Sequence, residues 1–186
     1  MKSLKESLFD DDLVSKDVID PKYVHPKDKW DLTNSIQYYI NLTQPKEKSV
    51  VDLNWIDTSR VKDMSNLFVI IPSSQIYNFD VSKWDVSNAT DMYSMFENCD
   101  YFNCDLSKWD VSNVENMASM FEGCKKFNSD ISKWNVRNVK DMKHMFEGCS
   151  NFNQDLSKWD MHNCIYKIDM FDNCPKMKEE NKPHFK

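Results

Sequence analysis

The sequence predicts an α/β fold, a short right-handed solenoid of about five strand–helix repeats behind an N-terminal helical cap. Two observations lead there. Trp84, Trp109, Trp134 and Trp159 recur every 25 residues, and the text around them recurs too, as in DVSKWDVSNATDMYSMFENC and DLSKWDVSNVENMASMFEGC. Within each copy the apolar residues also keep a fixed spacing. A unit this small cannot bury its own apolar side, whereas stacked units cover one another and turn identical residues into columns. Right-handedness follows from the general preference of parallel crossovers.

In chain order, residues 1–22 read as a flexible arm and residues 23–50 as the cap. Leu32, Ile36, Tyr39 and Ile40 share one face of a helix over about Asp28 to Leu42, which suits them to cover the first repeat. Residues 51–174 hold the repeats. The first copy, DLNWIDTSRVKDMSNLF, aligns when Ile56 takes the Trp place, and an insertion around Val69–Ile76 separates it from the second. In the third copy Leu106, Trp109, Val111 and Val114 follow L-x-x-W-x-V-x-x-V, so Trp109 and Val111 face one side of a short strand. Val114, Met117, Met120, Phe121 and Cys124 then make the stripe of a short helix with Asn113 as its N-cap, and Phe127 closes the turn to the next copy. The fifth copy places Lys167 where earlier copies have Met92, Met117 and Met142, and Cys164 where they have Val114 and Val139. A charge in a core column ends the array. Residues 175–186 read as a polar tail.

Composition narrows the function. Lys+Arg 24 against Asp+Glu 30 gives net charge −6, which opposes nucleic-acid binding. Gly123 and Gly148 are the two glycines of the chain, too few for phosphate loops, dinucleotide fingerprints or nucleophile elbows. The N-terminal stretch has no apolar run of the secretory type, since Asp10, Asp11 and Asp12 interrupt it. The expectation is an intracellular protein (host cytoplasm) or a virion component, without membrane insertion.

The phrase D-[LI]-S-K-W-D-V-S-N-V-x-D-M-x-x-M-F-x-G-C, with F-N-x-D between copies, resembles the BspA-like surface-protein repeat, a leucine-rich-repeat relative. That repeat occurs in mycoplasma surface proteins, many bacterial proteins, giant DNA viruses and some protists. The resemblance runs from Asp52 through Cys174 and implies a leucine-rich-repeat-like solenoid with a non-enzymatic role. Adhesion or protein binding is proposed for the bacterial members. Adhesins of this type normally carry a leader sequence, so the chain reads here as of giant-virus or other intracellular origin.

The residues that could carry chemistry have simpler readings. Cys99, Cys124, Cys149 and Cys174 form a column without the close pairs of a zinc site, so they read as free, buried thiols, with Cys99 and Cys104 near enough to meet. His25, His144, His162 and His184 do not recur and lack a nucleophile partner. Asp80, Asp105, Asp130 and Asp155 form one acidic column, and Asp85, Asp110 and Asp160 another that Asn135 breaks. Turn-forming Asx bonds and compensation by Lys83, Lys108, Lys133 and Lys158 account for both columns without calcium. The Trp column shares the side of Val111 and reads as core.

The expected function is a non-catalytic protein–protein interaction or structural repeat module, with no catalytic, cofactor or metal residues and no cofactor. Alternatives are a minor capsid-associated virion protein and a cell-surface adhesin-like protein. The expected partner site is the strand face, at Lys83, Asp85, Lys108, Asp110, Lys133, Asn135, Lys158 and Asp160. Protein partners are expected, together with self-association through the repeat ends.

Overall fold

The computed structural model describes residues 24–71 and 76–184. The arm expected over 1–22 lies outside them. Helix α1 spans Lys29–Thr43, where a helix was expected over about Asp28–Leu42. The Asp28 carboxylate caps it by accepting the Asp31 N–H at 3.0 Å. It ends at Gln44, whose left-handed backbone (φ 41°) returns its N–H to the Ile40 carbonyl. Leu32, Ser35, Ile36 and Ile40 are its buried residues. The helix is tied to the first copy by Lys29, whose ammonium lies 3.0 Å from the Asp63 carboxylate and 2.9 Å from Ser65 Oγ. Tyr39 packs on Trp55 with ring centroids 5.3 Å apart. Among the described residues no helix is long and apolar enough to cross a membrane.

Strand β1 (Val50–Asp52) pairs in parallel with β2 (Asn78–Asp80), Val51 opposite Phe79. Beyond this pair the described copies are built from turns. The strand expected around Trp109–Val111 is a short link between two turns, and the helix expected from Val114 to Cys124 is mostly a run of turns. Trp109 donates its N–H to Leu106, Val114 to Val111, Met120 to Met117, Cys124 to Phe121 and Phe127 to Cys124, at 3.0–3.2 Å. Each bond closes a turn between apolar residues three apart. The first and last residues of a β-turn lie within about 7 Å of each other, so both side chains reach the same interior. A helix is ruled out over Met117–Cys124 by Ser119 and Gly123, whose φ values of 55° and 71° are left-handed.

Equivalent residues of successive copies lie side by side. Single-residue parallel bridges join Asp63 to Asp91, Asp91 to Asn116, Asn116 to Asp141 and Asp141 to Tyr166. Beyond each bridge, alternate N–H groups donate forward to the next copy. Met117, Ser119, Phe121 and Gly123 donate to the carbonyls of Asp141, Lys143, Met145 and Glu147 at 2.7–3.0 Å. Met142, His144, Phe146 and Gly148 repeat the pattern onto Tyr166, Ile168, Met170 and Asp172.

The interior is columnar. Trp109 and Trp134 stack at 6.4 Å, and Trp134 and Trp159 at 6.5 Å. Phe121 stacks on Phe96 at 5.7 Å, on Phe146 at 5.8 Å and on Phe127 at 4.0 Å. Met92, Met117, Met142 and the cysteine column are buried with them. A Cβ on Gly123 would fall 2.4 Å from Asn98 Oδ1 of the preceding copy, so the Asn98 side chain would have to move, and the left-handed φ of 71° favours glycine there.

Candidate interaction face

The polar columns are held by short-range bonds from residues that the sequence already sets two apart. The carboxylates of Asp80, Asp105, Asp130 and Asp155 accept the N–H of Ser82, Ser107, Ser132 and Ser157 at 2.9–3.1 Å. Asp85, Asp110 and Asp160 accept from Ser87, Ser112 and His162 in the same way, and the Asn135 amide oxygen from Arg137 at 3.3 Å. These are Asx-turns, and they fix where each chain reversal occurs.

Lys83, Asp85, Lys108, Asp110, Lys133, Asn135, Lys158 and Asp160 are all exposed. Lys108, Lys133 and Lys158 act on the carboxyls of Asp105, Asp130 and Asp155 through space, as a smaller influence than the serine bonds. Among the described residues, Lys83, Lys108, Lys133 and Lys158 have no carboxylate within 4.0 Å. Arg137 is the cation nearest this acidic column, with Nε 3.9 Å from Asp160. Ion pairs between copies lie elsewhere, as at Lys125–Asp100, 2.7 Å. Close charge compensation, expected from the sequence, is therefore not what holds the columns in place.

Three side-chain ladders went unread in the sequence. The indole N–H of Trp84, Trp109, Trp134 and Trp159 donates backward to the carbonyls of Leu53, Val81, Leu106 and Ile131 at 2.9–3.2 Å. Asn88, Asn113, Asn138 and Asn163 donate through Nδ2 to carbonyls of the preceding copy at 2.7–2.9 Å, and this replaces the helix-capping role expected for Asn113. Cys124 and Cys149 place Sγ 2.9 Å from the carbonyls of Phe96 and Phe121. For the Trp and Cys ladders, recurrence of a buried residue with a donor was the available signal, because a buried donor requires an acceptor; the asparagines are exposed, and only their recurrence marked them.

A model of the family described as "Mycoplasma protein of unknown function, DUF285" matches residues 22–107, 40–129 and 70–184. The chain belongs to the DUF285 family. The 70–184 match holds copies two to five and owes nothing to the cap. No curated protein and no solved structure matches the chain.

In this DUF285 chain the six cysteines are buried and none is in a disulfide, Cys99 and Cys104 included. Burial pushes the Cys104 thiol up to about 12, helped by the Asp80 carboxylate, and Cys174 up to about 11. Such thiols are poor nucleophiles at neutral pH. His144 is half-buried, with Nδ1 2.7 Å from Glu147 Oε2. Among the described residues no group of three or more His, Cys, Asp or Glu is placed to hold a metal ion.

The Asx-turns should make the stability of this DUF285 protein fall in acid. Bonds from the serine two residues on hold the carboxyls of Asp105, Asp110 and Asp130 below the ordinary 3.8. A depressed carboxyl stabilises the fold fully above its unfolded pKa and loses that contribution as the pH falls through its folded value. Thermal midpoints should hold level from about pH 7 to pH 5 and drop at about pH 3. A midpoint at pH 3 equal to that at pH 6 would refute this.

Proposed function

We propose that this chain is a non-catalytic protein-binding module, a right-handed solenoid of turn-built coils related to leucine-rich repeats and of the BspA-like type. Its binding face carries Lys83, Asp85, Lys108, Asp110, Lys133, Asn135, Lys158 and Asp160. One observation supports the reading above others: the four lysines are exposed at a constant 25-residue interval and are not taken up in ion pairs among the described residues. Repeat proteins use extended surfaces of this kind for partners, and a regular charge pattern suits an elongated or itself repetitive protein read in register. Membership in an uncharacterised repeat family agrees with a binding role.

Lys108→Glu with Lys133→Glu tests the site. Exposed charges of this kind contribute only about 0–1 kcal/mol to stability, so the circular dichroism spectrum and melting point should survive the change. Affinity capture from the native source should then lose a partner that the wild-type protein recovers. Unchanged recovery would remove the lysine face from consideration.

A further inference from the structure

The end of the fifth copy differs from the faces between copies in two independent ways. The first is backbone polarity. The forward donors of copies two to four all find carbonyls, but their counterparts Asp169, Phe171 and Asn173 have no acceptor among the described residues. One step earlier the bond runs backward: Lys140 donates to Glu115 and Ile165 to Lys140, and among the described residues the Ile165 carbonyl has no donor. The C-terminal segment closes the other half of this end, where the Leu156 N–H reaches the Asn181 carbonyl at 2.8 Å. Its described residues bring no acceptor to Asp169, Phe171 or Asn173.

The second difference is in the side chains. Ile165 stands where earlier copies carry Lys62, Thr90, Glu115 and Lys140, and Tyr166 where they carry Asp63, Asp91, Asn116 and Asp141. Ile168 follows Ser65, Tyr93, Ala118 and Lys143 in its column. Ile165, Tyr166 and Ile168 are 69%, 53% and 62% exposed. The last copy thus turns apolar side chains outward at mostly polar positions, next to an open row of donors.

We propose that this edge takes an extended, apolar segment of another protein, added as a further coil by backbone pairing. The open groups set the occupant's chemistry: carbonyls on alternate residues for Asp169, Phe171 and Asn173, one N–H for Ile165, and apolar side chains over Ile165 and Ile168. Addition of a strand to an unpaired edge is an established mode of peptide recognition. A second copy of this chain fits the edge poorly. Two such ends face to face would set donors against donors, and the opposite end of the array is covered by α1. This edge is distinct from the lysine face and does not depend on it.

The probe is a synthetic peptide of residues 130–154, whose carbonyls at Lys143, Met145 and Glu147 accept from Ser119, Phe121 and Gly123 within the array. Amide hydrogen exchange of the full chain is followed with and without it. In the free protein Asp169, Phe171 and Asn173 should exchange quickly while Ser119, Phe121 and Gly123 are protected. Saturating peptide should slow the first three at least about tenfold. Ile165→Asp with Ile168→Asp should weaken binding by more than about tenfold, at unchanged melting temperature because both side chains are exposed. Failure of millimolar peptide to slow those amides overturns the proposal, as does protection confined to other residues. Sedimentation showing a dimer that protects the same amides and is lost in the double variant also overturns it, in favour of a second copy.

Discussion

Trp109→Ala is expected to lower the unfolding free energy by about 3–5 kcal/mol, the usual cost of deleting a large buried aromatic side chain. Trp109 is buried, stacks on Trp134 at 6.4 Å and lies 6.3 Å from Phe96. Its indole N–H also meets the Val81 carbonyl at 3.1 Å, so truncation opens a cavity and orphans an acceptor together. Trp109→Phe keeps part of the packing and removes the hydrogen bond, worth about 0.5–1.5 kcal/mol net, so its loss should be smaller than that of the alanine variant. Equilibrium denaturation of the three proteins would measure both. An alanine variant that unfolds at the wild-type denaturant concentration would place Trp109 outside the core.

Met117→Lys should be at least as damaging, at about 4 kcal/mol or more, since it buries an unpaired charge between two copies. Met117 is fully buried, and its own N–H is committed to the Asp141 carbonyl at 2.9 Å. The natural lysine of this column, Lys167, stands in the last copy, where its ammonium lies 3.5 Å from the Cys164 carbonyl. No further copy of the chain covers it there. Hydrogen exchange would show whether the damage stays local. Because each coil contacts only its neighbours, copies on either side of residue 117 should lose protection first. A Met117→Lys protein with native melting and native exchange would mean that this column is not sealed.

The sequence carried the period, the interior columns and the Asx-turns, because each depends on residue type at fixed spacing. Asp105 with Ser107 and Trp109 with Trp134 are readable in that way. The local backbone was not. Met117, Met120, Phe121 and Cys124 have the spacing of a helical stripe, yet a chain of turns puts residues three apart on one side just as well. The discriminating residues were small ones. Gly123 and Gly148 share a column with Asn98 and Asn173, and all four have positive φ, which is an unfavourable place for a helix interior. Ser119 and His144 adopt left-handed backbone as well, and their side chains give little warning of it. On the candidate face, the residues and their exposure were legible, but the lack of ion pairing at Lys108 and Lys133 was not, since partner choice depends on side-chain direction.

The forward direction of the backbone bonds has a bearing on biosynthesis. Chains emerge N-terminus first and fold progressively as they do. Helix α1 is made before the first coil and can seat it at once. Each later coil then leaves the ribosome with Met117-type donors open and a matching row of carbonyls still inside the exit tunnel. Growth is therefore ratcheted: every newly made coil satisfies the one before it and presents the same unsatisfied edge in its turn. The nascent protein passes repeatedly through a state whose growing end resembles the finished end at Asp169, Phe171 and Asn173. Pausing at a copy boundary from the second copy onward would leave a shorter array, so truncated products should accumulate as species stepped by 25 residues.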